Sequence, residues 1–257
     1  MTTLRYAVGV MFLTLLLVPN EKKPLPSWIT TITSIRHAVV PVVCGYTNEQ
    51  GEYVIADIEG TGFFIDREGR FVTAAHVLTG LTQFSQTKHR CSPAVYIPDA
   101  GWDRFTMHIH IQYFNFVTCI SSVSDIAVCK CIENPFTSAR ITAGSVQGVT
   151  FDPSELRDGT PVAFTGFPLQ YPSPITAIGI IAGRVAMADS DAFFYYAVDK
   201  PSWPGASGSP LFTEDGKVVG IILRGGRDLG AGLGYAETSA AIIDSIGKAA
   251  QSEQPKK

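Results

Sequence analysis

From residue 38 onward the chain is a succession of short apolar runs, rich in β-branched and aromatic residues and bounded by turn-forming residues. The runs 38–46, 52–60, 62–75, 94–98, 107–120 and 125–132 form a first series. A second series covers 162–167, 176–187, 192–199, 209–212, 218–225 and 233–238. Residues of this kind suit a pleated, half-buried surface, so both series predict strands. The stretch 133–160 is looser, carrying Pro135, Pro153 and the turn RDGTP, and reads as the connection between two halves. Residues 239–250 carry Ala and Ile at helical spacing and predict one closing helix. The pattern is that of an all-β chain with paired barrels or a sandwich, which propensity alone does not separate.

The N-terminus departs from this pattern. Arg5 precedes the apolar run YAVGVMFLTLLLVP at 6–19, and the polar stretch NEKKPLP follows. A comfortable membrane-spanning helix needs about 20 residues, and the run falls short of that. Its length matches a signal-peptide core, although no clean small-x-small cleavage site follows. Residues 1–26 are therefore expected to be a signal peptide or an uncleaved anchor; the alternative is an apolar segment that packs on the domain. The first reading places the chain outside the cytoplasm or on a membrane, the second leaves it cytoplasmic. Lys22 and Lys23 blur the orientation.

A hydrophobic fraction of 46% and a charged fraction of 17% fit a globular protein, and 257 residues suffice for one large domain or two small packed ones. The net charge of -3 offers no electrostatic attraction for nucleic acid or anionic lipid. Membrane association is expected only through the N-terminal run. The five cysteines, Cys44, Cys91, Cys119, Cys129 and Cys131, are expected to be buried free thiols, with one or two disulfides involving Cys44 or Cys91 as the alternative. Cys129 and Cys131 share one face of an extended segment and are poorly placed to bond each other. None of the cysteines shows a metal-binding spacing, and His108 and His110 alternate with apolar residues as on a strand face. No metal and no cofactor is expected.

Three segments carry chemistry. FVTAAHVL places His76 directly after a strand, SDIAVC places Asp125 at the start of one, and PGASGSPLF places Ser207 in a tight glycine-rich turn. A nucleophilic serine needs an imidazole to accept its proton, and the imidazole needs a carboxylate to fix its tautomer and stabilise its cation. Small residues in the turn let the backbone N–H groups of Gly205 and Ser207 converge on an oxyanion. Each segment alone has a bland reading as a turn or a cap. Their occurrence together, in the order His, Asp, Ser, favours a catalytic triad.

In order, GTGFFIDREGRFVTAAHVL, SDIAVCK, GTPVAFTGFP, GASGSPLF and GKVVGIILRGG resemble segments of the trypsin-like serine peptidase superfamily, closest to its high-temperature-requirement (HtrA) branch. The resemblance spans roughly residues 38–246. It implies two perpendicular six-stranded β-barrels with a C-terminal helix. The first would cover 27–140 with His76 and Asp125, the second 141–250 with Ser207, and 251–257 would be a polar tail. It also implies a serine endopeptidase acting on protein or peptide substrates. Leu223, Arg224 and Gly225 would form the strand edge on which substrate backbone pairs.

The resemblance has departures. Ala206 precedes the nucleophile where digestive relatives carry an acidic residue, so activation through a freshly cut N-terminus is not expected. Ser209 stands where a second glycine is common, but register against Gly205 favours Ser207 as nucleophile. The chain ends soon after the closing helix, which leaves no PDZ module to expect. Pocket walls at 200–204 and 223–227 offer Lys200, Arg224 and Arg227 but no acid, which argues against preference for basic side chains. A small or medium apolar residue is the default, and an acidic one if Arg224 or Arg227 points inward. Trp203 is expected to pack under the pocket, or else to form a subsite wall. The alternative function is a catalytically silent domain that binds extended peptides or a protein partner.

Overall fold

A computed structural model of the chain describes residues 27–87, 92–102, 110–121, 124–186, 194–225 and 232–252. The N-terminal run and its signal-peptide reading lie outside them, as do Cys91, His108 and Arg227. Among the described residues, no helix is long and apolar enough to cross a membrane.

The first series of runs closes into a barrel. Strands β1 (Val39–Thr47), β2 (Tyr53–Phe64), β3 (Arg70–Ala74), β4 (Ser92–Pro98), β5 (Ile111–Ser121) and β6 (Ile126–Cys131) follow the order β1-β2-β3-β6-β5-β4. Alternation puts Phe71, Phe114 and Phe116 inside, and Phe71 meets Phe116 edge-on at 5.1 Å. Each buried ring of this size contributes roughly 1.5–3 kcal/mol. The runs at 52–60 and 62–75 are redistributed: β2 extends through Phe64, and the turn 65–69 leads into β3.

The second series forms β8 (Pro161–Gly166), β9 (Ile175–Ala186), β10 (Phe194–Val198), β11 (Pro210–Phe212), β12 (Lys217–Gly225) and β13 (Gly234–Thr238). Their order is β11-β8-β9-β10-β13-β12, and pairing of β11 with β12 closes a second six-stranded barrel. A two-residue strand, β7 (Thr150–Phe151), adds parallel to β12 outside the ring.

The closing helix is present as α3 (Ser239–Ser252), but it is one of three α-helices among the described residues. Helix α1 (Ser27–Arg36) sets Trp28 against Phe212 at 6.2 Å and ties Thr31 to the Glu214 carbonyl. Helix α2 (Ala75–Thr87) follows β3 without a break, burying Val77 and Leu81 one turn apart. His76 therefore follows a strand as expected, and stands in the first turn of a helix that the strand runs evident in the sequence did not include.

One apolar cluster fills the first barrel and runs on through Phe167, Phe212, Ile221, Leu223 and Ile242, forming the seam between the barrels. A smaller cluster, including Val162, Ile181, Leu211 and Ala236, fills the second barrel.

The free-thiol expectation for the cysteines is corrected. Cys119 on β5 and Cys129 on β6 form a disulfide across neighbouring strands. Cys44 is disulfide-bonded as well. Only Cys131 of the described cysteines is free, and burial pushes its thiol up to about 12. His110 is exposed and precedes β5, so it lines no strand face.

Candidate active site

His76 and Asp125 meet at the mouth of the first barrel. β3 pairs with β6 through Ala74 and Ile126, so the ends of these strands bring the start of α2 beside Asp125. The Ala75 N–H donates to the Asp125 carbonyl at 3.1 Å. The Asp125 carboxylate is fully engaged by one residue: Oδ1 accepts from the His76 backbone N–H at 2.8 Å, and Oδ2 from its Nδ1 at 2.6 Å. The first bond caps α2, where the helix dipole favours a negative charge. The second keeps the proton on Nδ1 and leaves the Nε2 lone pair available.

The turn that carries Ser207 is built from backbone conformations that only glycine adopts easily. Gly205 has φ +91° and Gly208 φ +89°. A side chain at Gly205 would run into the Phe167 carbonyl, and one at Gly208 into the Thr61 carbonyl. Thr61, wholly buried on β2, holds the turn from the first barrel. Its N–H donates to the Ser207 carbonyl at 2.8 Å, and its Oγ1 donates to the Gly205 carbonyl at 2.8 Å. The same Oγ1 accepts from the Phe167 N–H at 3.0 Å, while Thr73 Oγ1 donates to the Thr61 carbonyl at 2.7 Å.

The expected oxyanion donors are oriented by the same packing. Leu169 and Gln170 adopt left-handed conformations, φ 54° and 61°, which are costly for residues with side chains. That bend lets the Leu169 N–H donate to the Pro204 carbonyl at 2.7 Å. In a trans peptide the next N–H points the opposite way, so the Gly205 N–H is turned away from Leu169. Ala206, Gly208 and Ser209 all donate their N–H groups to backbone carbonyls. Among the described residues, the N–H groups of Gly205 and Ser207 donate to none.

Ser207 is partly exposed, and its Oγ donates to the Leu223 carbonyl at 3.1 Å. No hydrogen bond joins it to His76 among the described residues. Ser209 is wholly buried with Oγ packed against Gly166, so it presents no hydroxyl to an incoming molecule. Residues 223–225 of β12 pair with β13 on one side, through Arg224 with Tyr235 and Gly225 with Gly234. β11 ends its pairing at Ile221, so the other side is uncovered by β11 at the residues where an added strand was expected.

The pocket walls need one correction. Trp203 is 54% exposed and does not pack underneath; its carbonyl accepts from the Ala206 N–H. Lys200 is half-buried and 3.7 Å from Asp199. The side chain of Arg224 lies outside the described residues. A cavity of about 380 Å³ opens beside Gly205 between Asp57, Glu59, Leu169, Gln170 and Pro204. Burial, and then the Asp57 charge, raises the Glu59 carboxyl above its ordinary range.

Thr61, Thr73 and Leu169 were not singled out by sequence reasoning. The available signal was a pair of threonines at buried positions of otherwise apolar strands, together with the GTG spacing.

Comparisons with known proteins agree on the fold. Residues 60–221 match the trypsin-like peptidase domain family. A probable periplasmic serine endoprotease, DegP-like, from Chlamydia muridarum is 27% identical over 197 residues, covering 74% of this chain and 34% of its own. Its counterpart from Chlamydia trachomatis is 26% identical over the same length and the same shares of both chains. The chain thus spans about a third of the length of these relatives. The crystal structure of Rv3671c from M. tuberculosis H37Rv, in an inactive form, superposes with a TM-score of 0.60 at 17% identity, covering 88% of this chain and 93% of that one. The active form of the same protease gives 0.59 at 17% identity, covering 85% and 83%.

Proposed function

The chain belongs to the trypsin-like peptidase domain family, and from that premise we propose that it is a serine endopeptidase with His76, Asp125 and Ser207 as its triad. The observation that supports this reading is the pair of hydrogen bonds from His76 to the Asp125 carboxylate, which leaves Nε2 to act as the base for Ser207.

The reaction follows from that placement. An extended peptide adds along 223–225 of β12, its N–H groups pairing with backbone carbonyls. The Leu223 carbonyl is then contested, and a substrate N–H arriving there displaces the Ser207 hydroxyl. Oγ turns to Nε2, loses its proton to it and attacks the scissile carbonyl carbon. The carbonyl oxygen becomes an anion and accepts from the free N–H groups of Gly205 and Ser207. Asp125 stabilises the imidazolium without taking its proton. Collapse of the tetrahedral adduct breaks the C–N bond, and the imidazolium gives its proton to the leaving amine. Water, deprotonated by Nε2, then attacks the acyl ester and regenerates Ser207.

The domain is proposed to work outside the cytoplasm. Three features support this: the apolar run at 6–19, disulfides at Cys44 and Cys119–Cys129, and the periplasmic naming of the relatives. Digestion of a proteome-derived peptide library by the purified chain, read by mass spectrometry, tests the activity. Wild type should cut within peptides and Ser207→Ala should not. Binding of peptides without any cleavage by wild type would instead favour the silent domain.

A further inference from the structure

The seam between the barrels holds a carboxyl for which the reaction above has no use. Glu237, on β13, is 1% exposed. Its neighbour Ala236 belongs to the core of the second barrel, so Glu237 projects to the opposite side of the strand. Its partner across the antiparallel ladder is Ile221, which lies in the seam cluster with Leu223, the residue whose carbonyl holds Ser207 Oγ. Directly opposed residues share a face, and Glu237 therefore points into the seam on the side of Ile221 and Leu223.

Its surroundings are incomplete for an anion. The Tyr195 hydroxyl on β10 supplies one hydrogen bond. The other oxygen, Oε2, is buried with no partner. An unpartnered oxygen in an apolar seam penalises the charged form. Burial first, and the Asp125 charge in addition, raise the carboxyl to about 7, against the Tyr195 bond that lowers it. The two carboxyls differ in their partners: both oxygens of Asp125 are held by His76, whereas one of Glu237 is empty.

We propose that Glu237 is a positioning residue for the triad, a carboxyl behind Asp125 whose ionisation adds a second negative charge and tightens the hold on the His76 imidazolium. The inference rests on the triad reading above. The groups that face Glu237 are Tyr195 from β10 and Asp125 at the head of β6, with Tyr235 buried on its own strand. Two cations of the adjoining elements β12 and α3 are exposed and paired elsewhere. Lys217 on β12 lies 3.4 Å from Asp215, and Lys248 on α3 lies 2.6 Å from Asp244.

The sign is fixed by electrostatics. Once Glu237 ionises, the imidazolium gains a second counter-charge and gives up its proton at higher pH. Glu237→Gln keeps the shape and removes the charge, so the imidazole should become a free base at lower pH. NMR titration of the His76 ring in the full chain, assigned with His76→Ala, reads this without relying on activity. The expected result is a midpoint lowered by about half a pH unit in Glu237→Gln, the scale of one added charge at partial burial. Tyr195→Phe, which takes away the bond favouring the ionised form, should lower the midpoint in the same direction by less. It serves as the second variant if Glu237→Gln does not fold. The rate of fluorophosphonate labelling against pH should move with the ring. A His76 midpoint unchanged in both variants overturns the inference. Absence of labelling in wild type overturns the peptidase reading, while the NMR midpoint still decides the role of Glu237.

Discussion

Thr61 Oγ1 donates to the Gly205 carbonyl at 2.8 Å, so a side chain of the first barrel holds the turn of the second barrel that carries Ser207. The same oxygen accepts from Phe167 N–H, and the Thr61 N–H takes the Ser207 carbonyl. Thr61→Val preserves shape and backbone but loosens the peptide expected to aim Gly205 N–H. Steady-state kinetics on a cleaved peptide should show kcat down by roughly 10- to 100-fold with KM little changed, the pattern of a weakened oxyanion site. Thr61→Ser should restore most of the rate. An equal loss in both variants would contradict the hydroxyl's role.

Gly208 combines a left-handed backbone, φ +89°, with an approach to the Thr61 carbonyl that leaves no room for a Cβ. Gly208→Ala should cost at least about 2 kcal/mol, since the strain and the clash act together. Denaturant unfolding would show this as a lower midpoint at unchanged slope.

How much of this was legible in the chain follows from how local each feature is. The strand runs were readable because β-branched and aromatic residues mark a pleated surface wherever it closes. His76, Asp125 and Ser207 sit in segments whose chemistry is written within a few residues. Helix α2 was not readable as a helix, because Val77 and Leu81 form its buried stripe only once β3 and Asp125 fix its start. The Cys119–Cys129 pairing depends on the register of β5 against β6, which no spacing records. Thr61 looked like any strand threonine, since its partners lie at Phe167 and Gly205, more than a hundred residues away.

The Cys119–Cys129 bond closes a loop of ten residues' separation, and Asp125 lies inside it. In the chain-entropy account a loop of this size stabilises by about 2–3 kcal/mol. The paired change Cys119→Ser with Cys129→Ser should lower the urea midpoint accordingly. It should also reduce peptide cleavage more than a stability loss alone predicts at temperatures where the variant is still folded. Unchanged cleavage under those conditions would show that the staple does not hold Asp125.

Glu237 also makes stability depend on pH. Its folded value of about 7 lies above the ordinary 4.5, so folding disfavours its ionised form. The resulting contribution is fully present below pH 4.5 and is lost as pH rises through about 7. The loss is on the order of 3 kcal/mol, from 1.36 kcal/mol per unit. Thermal unfolding between pH 5 and pH 8 should therefore show a fall in wild type that is smaller in Glu237→Gln.

The triad itself is tested most directly by reacting the purified chain with a fluorophosphonate and locating the adduct by peptide mass spectrometry. Transfer of phosphorus to an unactivated serine is slow, so labelling reads the base behind the hydroxyl. Wild type should carry one phosphonyl group, on Ser207, while His76→Ala and Ser207→Ala should carry none. An adduct on Ser209, or labelling that persists in Ser207→Ala, would contradict the assignment.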